Sequence, residues 1–194
     1  MIFSLIITWK SYGDILGDFS NSMQLPGYID FSKRSLVQTD PFDQKKNKDD
    51  LENRSPSEIL GHYFKSGTFD IIFNPATMQY LSDKIQFIEE AHRILTKEGI
   101  AALELEQYRP THPVEYQNNI EIWDKEGKRI DVLNYLKKFK NIQVKKSKNR
   151  PWHYILMKKV KNFNLGLKLI KYINLEEIAP SPVFWGSKSI YRIL

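Results

Sequence analysis

Residue types able to move protons cluster in one proline-broken stretch, 108–119, which carries Tyr108, Arg109, His112, Glu115 and Tyr116. Such side chains act as acids or bases when a substrate is held against them, and the same types also occur in ordinary surface loops. A second polar group, Asn74-Pro75-Ala76, follows an apolar run; its amide is either a pocket donor or a plain turn residue. The four histidines, at 62, 92, 112 and 153, have no metal-ligand spacing. Cysteine is absent, which removes disulfides and thiolate metal sites. No metal is expected. The chain also lacks a phosphate-loop lysine motif, an HExxH pair and a Gly-x-Ser-x-Gly elbow.

The elements that must position these groups are clearest between Thr68 and Gln107. Phe69 to Phe73 is a short apolar run rich in β-branched residues, as a strand buried on both faces requires. Ser82 is a good helix N-cap. After it, Ile85, Ile88 and Leu95 recur at helical spacing, widened by Phe87, Ala91 and Ile94. Lys97-Glu98-Gly99 should end that helix, with Gly99 as a left-handed cap. Ile100 to Leu105 returns as a second buried strand. A strand–helix–strand connection of this length joins parallel strands, so the fold class is α/β.

This stretch resembles the second half of a class I S-adenosylmethionine-dependent methyltransferase. The features, in order, are an FD-apolar-apolar strand, a loop ending in Tyr80-Leu81, a helix running into HRILTKEG, and a strand closing on acids. The resemblance implies a Rossmann-like sheet, mostly parallel with an antiparallel closing strand, and it extends over residues 1–160. It implies a first strand at Phe3 to Thr8, a helix from Asp14 to Met23, and a second strand ending in Tyr28-Ile29-Asp30-Phe31-Ser32. Asp30 then stands where the family's acid takes the cofactor ribose, and Gly13 where its last loop glycine falls. The other two glycine positions hold Trp9 and Ser11, and a tryptophan there opposes close backbone approach to a ligand. Two readings are open: the loop binds S-adenosylmethionine in an altered way, or a methyltransferase fold has lost its ligand. The expected cofactor-binding set is Trp9, Ser11, Gly13, Asp30, Asn74 and Met78.

Residues 38–67 depart from the pattern as a polar insertion, with the mixed-charge run Lys45 to Asp50. The third strand is expected near Ser35 to Thr39. Asp40 after it either resembles the family's adenine-facing acid or starts a turn before Pro41. Beyond the fifth strand the pattern predicts a strand at Ile120 to Trp123, a turn at Asp124 to Lys128 and a helix at Asp131 to Lys140. A strand pair at Ile142–Val144 and Trp152–Met157 follows. Residues 161–194 are expected as a C-terminal extension, a helix from Asn164 to Ile178 and then an apolar tail. That tail either packs back on the domain or docks on a protein partner.

Formal charge is +6, unevenly spread: Lys125 to Lys161 holds thirteen Lys or Arg against two acids. Lys145, Lys146, Lys148 and Arg150 surround the last predicted turn. A basic face of this kind suits RNA or a ribonucleoprotein, while lysines also protect edge strands from aggregation. The opening MIFSLIITW is too short to span a bilayer and no targeting segment is recognisable, so a soluble, cytoplasmic protein is expected. The family's helix ahead of the first strand has no counterpart, which leaves a lid missing or supplied by a partner. Two functions follow. One is methyl transfer to a small-molecule or macromolecular acceptor; the other is a non-catalytic, methyltransferase-like scaffold.

Overall fold

The computed structural model describes residues 3–7, 35–39, 64–74, 78–105, 112–146, 153–178 and 186–194. Strands β1 (Phe3–Ile7), β2 (Ser35–Thr39), β3 (Phe69–Asn74), β4 (Leu95–Leu105), β7 (Ile142–Lys146) and β8 (His153–Lys158) form one sheet, in the order β2-β1-β3-β4-β8-β7. Within it β2-β1-β3-β4 is parallel, and β8 and β7 close the edge antiparallel. The expected neighbours are therefore in place, with β1 beside β3 and β3 beside β4.

The crossover from β3 to β4 is helix α1 (Lys84–Ile94). Its N-cap is Asp83, one residue later than Ser82: the Asp83 backbone is extended and its carboxylate accepts the Gln86 N–H at 3.0 Å. Ile85, Phe87, Ile88, Ala91 and Ile94 are buried against the sheet together with Phe69, Ile72 and Leu103. Each of the Ile, Leu and Phe side chains contributes roughly 1.5–3 kcal/mol on burial. At the other end the Lys159 ammonium donates to the carbonyls of His92 (2.6 Å) and Arg93 (2.8 Å), two of the groups a helix end leaves open. The chain enters β4 directly at Leu95, so Gly99 is not the left-handed cap the sequence predicts. It lies in an irregularity of β4, where the register passes from Phe69↔Leu95 to Ile71↔Ile100. An added Cβ there would meet Phe69 O and Thr96 O at 3.0 Å, so the glycine serves close approach.

A second, four-stranded sheet was not foreseen. It contains β5 (Ile120–Trp123), β6 (Arg129–Ile130), β9 (Leu167–Asn174) and β10 (Ser187–Ile193), in the order β6-β5-β10-β9. The turn between β5 and β6 is the expected one, closed by Asp124 Oδ1 accepting Lys128 N–H at 2.7 Å, with Gly127 at φ +78°. Helix α2 (Val132–Leu136) is shorter than the predicted Asp131–Lys140; Asp131 caps it and turns follow Leu136.

The predicted C-terminal helix is a correction. Residues Leu167–Asn174 are a strand paired antiparallel with β10, and only α3 (Leu175–Ile178) is helical. Leu165, Leu169 and Ile173 satisfy a helical spacing, yet Leu167 and Leu169 also alternate. A register irregularity between Ile190 and Tyr191 shifts the phase of the strand midway. The strand wins because β10 gives it a full ladder of backbone partners. Within the tail, Ser187–Ile193 packs back on the protein as β10, between β5 and β9.

Taken over both sheets, four strand pairings are parallel and four antiparallel, so the fold is mixed α/β and not mostly parallel. The strand at Ser35–Thr39 is also relocated. It pairs directly with β1, where the resemblance puts the family's second strand. The predicted helix at Asp14–Met23 and strand at Tyr28–Ser32 lie outside the described residues. No described helix is long and apolar enough to cross a membrane.

Candidate active site

The order β2-β1-β3-β4 reverses direction at β1: the chain goes to β2 on one side and returns to β3 on the other. Sheets of this kind take ligands in the crevice outside the carboxyl ends of their strands, at that switch point. The registers align Thr39 of β2 with Ile7 of β1, Ile6 with Phe73, and Asn74 with Leu103 of β4. Ile7 leads into the segment of Trp9, Ser11 and Gly13, while Asn74 leads into the segment of Met78. The ends of β1 and β3 therefore fall at one edge of the sheet, on adjacent strands.

Of the predicted site residues, Asn74 and Met78 fall within the described region. Asn74 is fully buried at the end of β3. Met78 opens the short 3-10 turn Met78–Tyr80 and is packed into the core. Trp9, Ser11, Gly13 and Asp30 lie outside the described residues, as do Tyr108 and Arg109. Asp40 directly follows β2, the strand that pairs with β1. Of the remaining proton-moving candidates, His112 is buried, Glu115 is exposed and Tyr116 is half-buried. Lys145 and Lys146 are exposed on β7, the outer strand of the six-stranded sheet, and Lys148 and Arg150 lie outside the described residues. Among the described residues, no cluster of His, Asp or Glu could hold a metal ion.

A buried polar network behind the Asn74–Met78 segment escaped the sequence reading. Lys84, the first residue of α1, is completely buried. Its ammonium donates to Leu81 O (2.7 Å), Ser187 Oγ (2.7 Å) and Ser189 Oγ (3.0 Å). Ser187 Oγ is also within hydrogen-bond reach of Gln79 O (3.0 Å) and Leu81 O (2.9 Å), and Ser189 Oγ donates to Ser82 O (2.8 Å). The Tyr191 hydroxyl accepts the Lys84 and Ile85 N–H groups at 2.9 and 3.3 Å and donates to Asp83 Oδ1 at 3.1 Å. Burial pulls the Lys84 amine from its ordinary 10.5 down to about 7, against the opposing pull of Asp83. The signal was legible in part: Lys84 interrupts the apolar stripe that runs on through Ile88, Ala91 and Leu95.

Comparison with protein families matches residues 28–103 to the methyltransferase domain. The methyltransferase match takes in β2, β3, α1 and most of β4, and begins after the segment of Trp9, Ser11 and Gly13. A search of curated proteins finds no match. Among solved structures, a SAM-dependent methyltransferase from Aquifex aeolicus is 17% identical with a TM-score of 0.42, over 79% of this chain and 81% of that one. Human methyltransferase-like protein 13, solved with S-adenosylhomocysteine, is 14% identical with a TM-score of 0.41, over 83% and 73%. The methyltransferase partner of the Haloferax volcanii activator Trm112 is 11% identical with a TM-score of 0.40, over 80% and 81%.

Proposed function

We propose that this chain is a S-adenosylmethionine-dependent methyltransferase whose cofactor lies across the carboxyl ends of β2, β1 and β3. The parallel order around β1 supports the reading, because β1, which precedes Trp9 in sequence, and β3, which ends in the buried Asn74, finish side by side at the carboxyl edge of the sheet. The bound cofactor supplies an activated methyl group. The chain's own task is to hold donor and acceptor in line and to keep water out; a base is needed only if the acceptor must lose a proton. In this reading Trp9, Ser11 and Gly13 hold the methionine end, and Asn74 with Met78 closes the site beneath the methyl group. The acceptor enters from the side of residues 108–119.

Two carboxylates compete for the ribose. Asp30 has the spacing from Gly13 that the family resemblance implies, whereas Asp40 follows the strand hydrogen-bonded to β1. Strand adjacency favours Asp40, since an acid reaches the ribose from the end of the strand beside the glycine loop. A carboxylate accepting two hydroxyls makes charge-assisted bonds of roughly 1.5–3 kcal/mol each. Asp40→Ala should therefore weaken S-adenosylhomocysteine binding at least about tenfold in calorimetry, with little change for Asp30→Ala. The reverse pattern would restore Asp30 to that role. Wild type that binds nothing at millimolar cofactor would leave the scaffold reading, to which Trp9 and Ser11 in glycine positions already point.

A macromolecular acceptor is favoured by the basic stretch from Lys125 to Lys161, with Lys145 and Lys146 exposed on an edge strand. RNA affinity of wild type and a Lys145→Glu, Lys146→Glu, Lys148→Glu variant should differ across a salt series. The variant should bind more weakly and with a flatter salt slope, because fewer phosphates are neutralised. Equal affinities would assign these lysines to edge protection alone.

A further inference from the structure

The segment after β3 is held from behind by a strand more than one hundred residues away. Three loop carbonyls, those of Gln79, Leu81 and Ser82, receive their hydrogen bonds from Ser187, Ser189 and the Lys84 ammonium. Ser187, Ser189 and Lys84 are buried, so water is a poor substitute for a lost bond. The first two N–H groups of α1 are bound by Tyr191 of the same strand. Gly186 makes the approach possible. It lies at φ +83°, and a Cβ on it would sit 2.7 Å from Gln79 O. Only glycine tolerates both conditions.

We propose that β10 is a strap: Gly186, Ser187 and Ser189, through Lys84, position the Met78–Ser82 loop and thereby the floor of the methyl-transfer site. The proposal rests on the methyltransferase reading given above. These residues are positioning residues, since none reaches the crevice itself; they act through loop carbonyls. Lysine at position 84 suits the task because its ammonium offers three donors to three converging acceptors, two on β10 and one on the loop. Ordinary core stitching would need no such convergence on a single loop, and the apolar residues around it already bury α1.

The test uses the full chain with Gly186→Ala, with Lys84→Met, and with the double variant Ser187→Ala, Ser189→Ala. Two quantities are read on protein with a wild-type far-UV spectrum: amide exchange of residues 78–83, and affinity for S-adenosylhomocysteine by calorimetry. Both exchange and dissociation constant should rise at least about tenfold in each variant. Affinity within twofold of wild type, or unchanged exchange at 78–83, overturns the strap. Should Lys84→Met fail to fold, the serine variant keeps the lysine and reads the same two quantities. Wild type that binds no S-adenosylhomocysteine overturns the cofactor reading and the positioning role together, whereas normal binding by the variants overturns the strap alone.

Discussion

Replacing Lys188 with methionine is expected to destabilise the fold by about 3–5 kcal/mol, because it strands a buried carboxylate. Lys188 Nζ stands 2.7 Å from Glu121 Oε2, and the two side chains are 7% and 9% exposed. It also donates to Glu115 O. Burial by itself would push the Glu121 carboxyl up. The Lys188 ammonium, with Arg129 and the Trp123 indole N–H, outweighs that and holds it below the ordinary carboxylate range. Without Lys188, what remains is Arg129 at 3.8 Å, on a half-exposed side chain, and the Trp123 N–H at 2.7 Å. Urea unfolding at pH 7 measures the loss. Adding Glu121→Gln to the variant should recover much of it, since the uncompensated charge is then gone. A loss below about 1 kcal/mol would mean that Arg129 swings in and replaces the pair.

The Lys84→Met variant should differ from wild type in a way that depends strongly on pH. In the unfolded chain the amine takes its proton near 10.5; in the folded protein it does so at about 7. Its folded value is depressed, so its contribution to stability is fully present above pH 10.5 and is lost as pH falls to about 7. Below that both states are protonated and nothing further is lost. The whole window corresponds to on the order of 5 kcal/mol, and pH 9.5 to 7 to on the order of 3 kcal/mol. Methionine has no proton to take up, so the wild-type-minus-variant stability should fall by that amount between pH 9.5 and 7. Asp83 is the charge that acts on the amine, and the Tyr191 hydroxyl binds the Lys84 backbone N–H close by. Burial and the Asp83 charge push the Tyr191 hydroxyl far above its ordinary range, which keeps it out of this window. Urea midpoints for both proteins at the two pH values give the comparison; a pH-independent difference would refute the buried-amine account. Deprotonation also removes one N–H from the three-way contact. One serine must then turn its hydroxyl toward the amine nitrogen and release a loop carbonyl.

The β3–α1–β4 unit was legible because local preference and tertiary demand agree there. Phe69–Phe73 is mostly apolar, with Phe69, Ile72 and Phe73 buried, and the stripe from Ile85 to Ile94 has a single period. The closing pair β7–β8 was legible for the same reason, through the alternation of Ile142 and Val144 with polar neighbours. The second sheet was not. Leu165, just before β9, and Leu167, Leu169 and Ile173 within it fit two periods, and the choice between them is made by β10, which no local pattern reveals. Helix caps shifted by one residue, from Ser82 to Asp83, because both types cap well and the Tyr191 hydroxyl engages Asp83. The polar network was hidden for a related reason. Ser187, Ser189 and Tyr191 alternate in the tail, but serine alternation alone does not say that a lysine 103 residues earlier waits for it.

That separation has a consequence for biosynthesis. A chain emerging from the ribosome at roughly 5–20 residues per second completes the β3–α1–β4 unit well before Ser187 exists. Gln79 is made 108 residues ahead of the hydroxyl that binds its carbonyl, so the loop waits roughly 5–20 s for its partner. During that interval the Lys84 amine has neither serine, and its burial is premature. The nascent protein can therefore have β3, α1 and β4 assembled and an unfinished crevice, which β10 completes once it emerges.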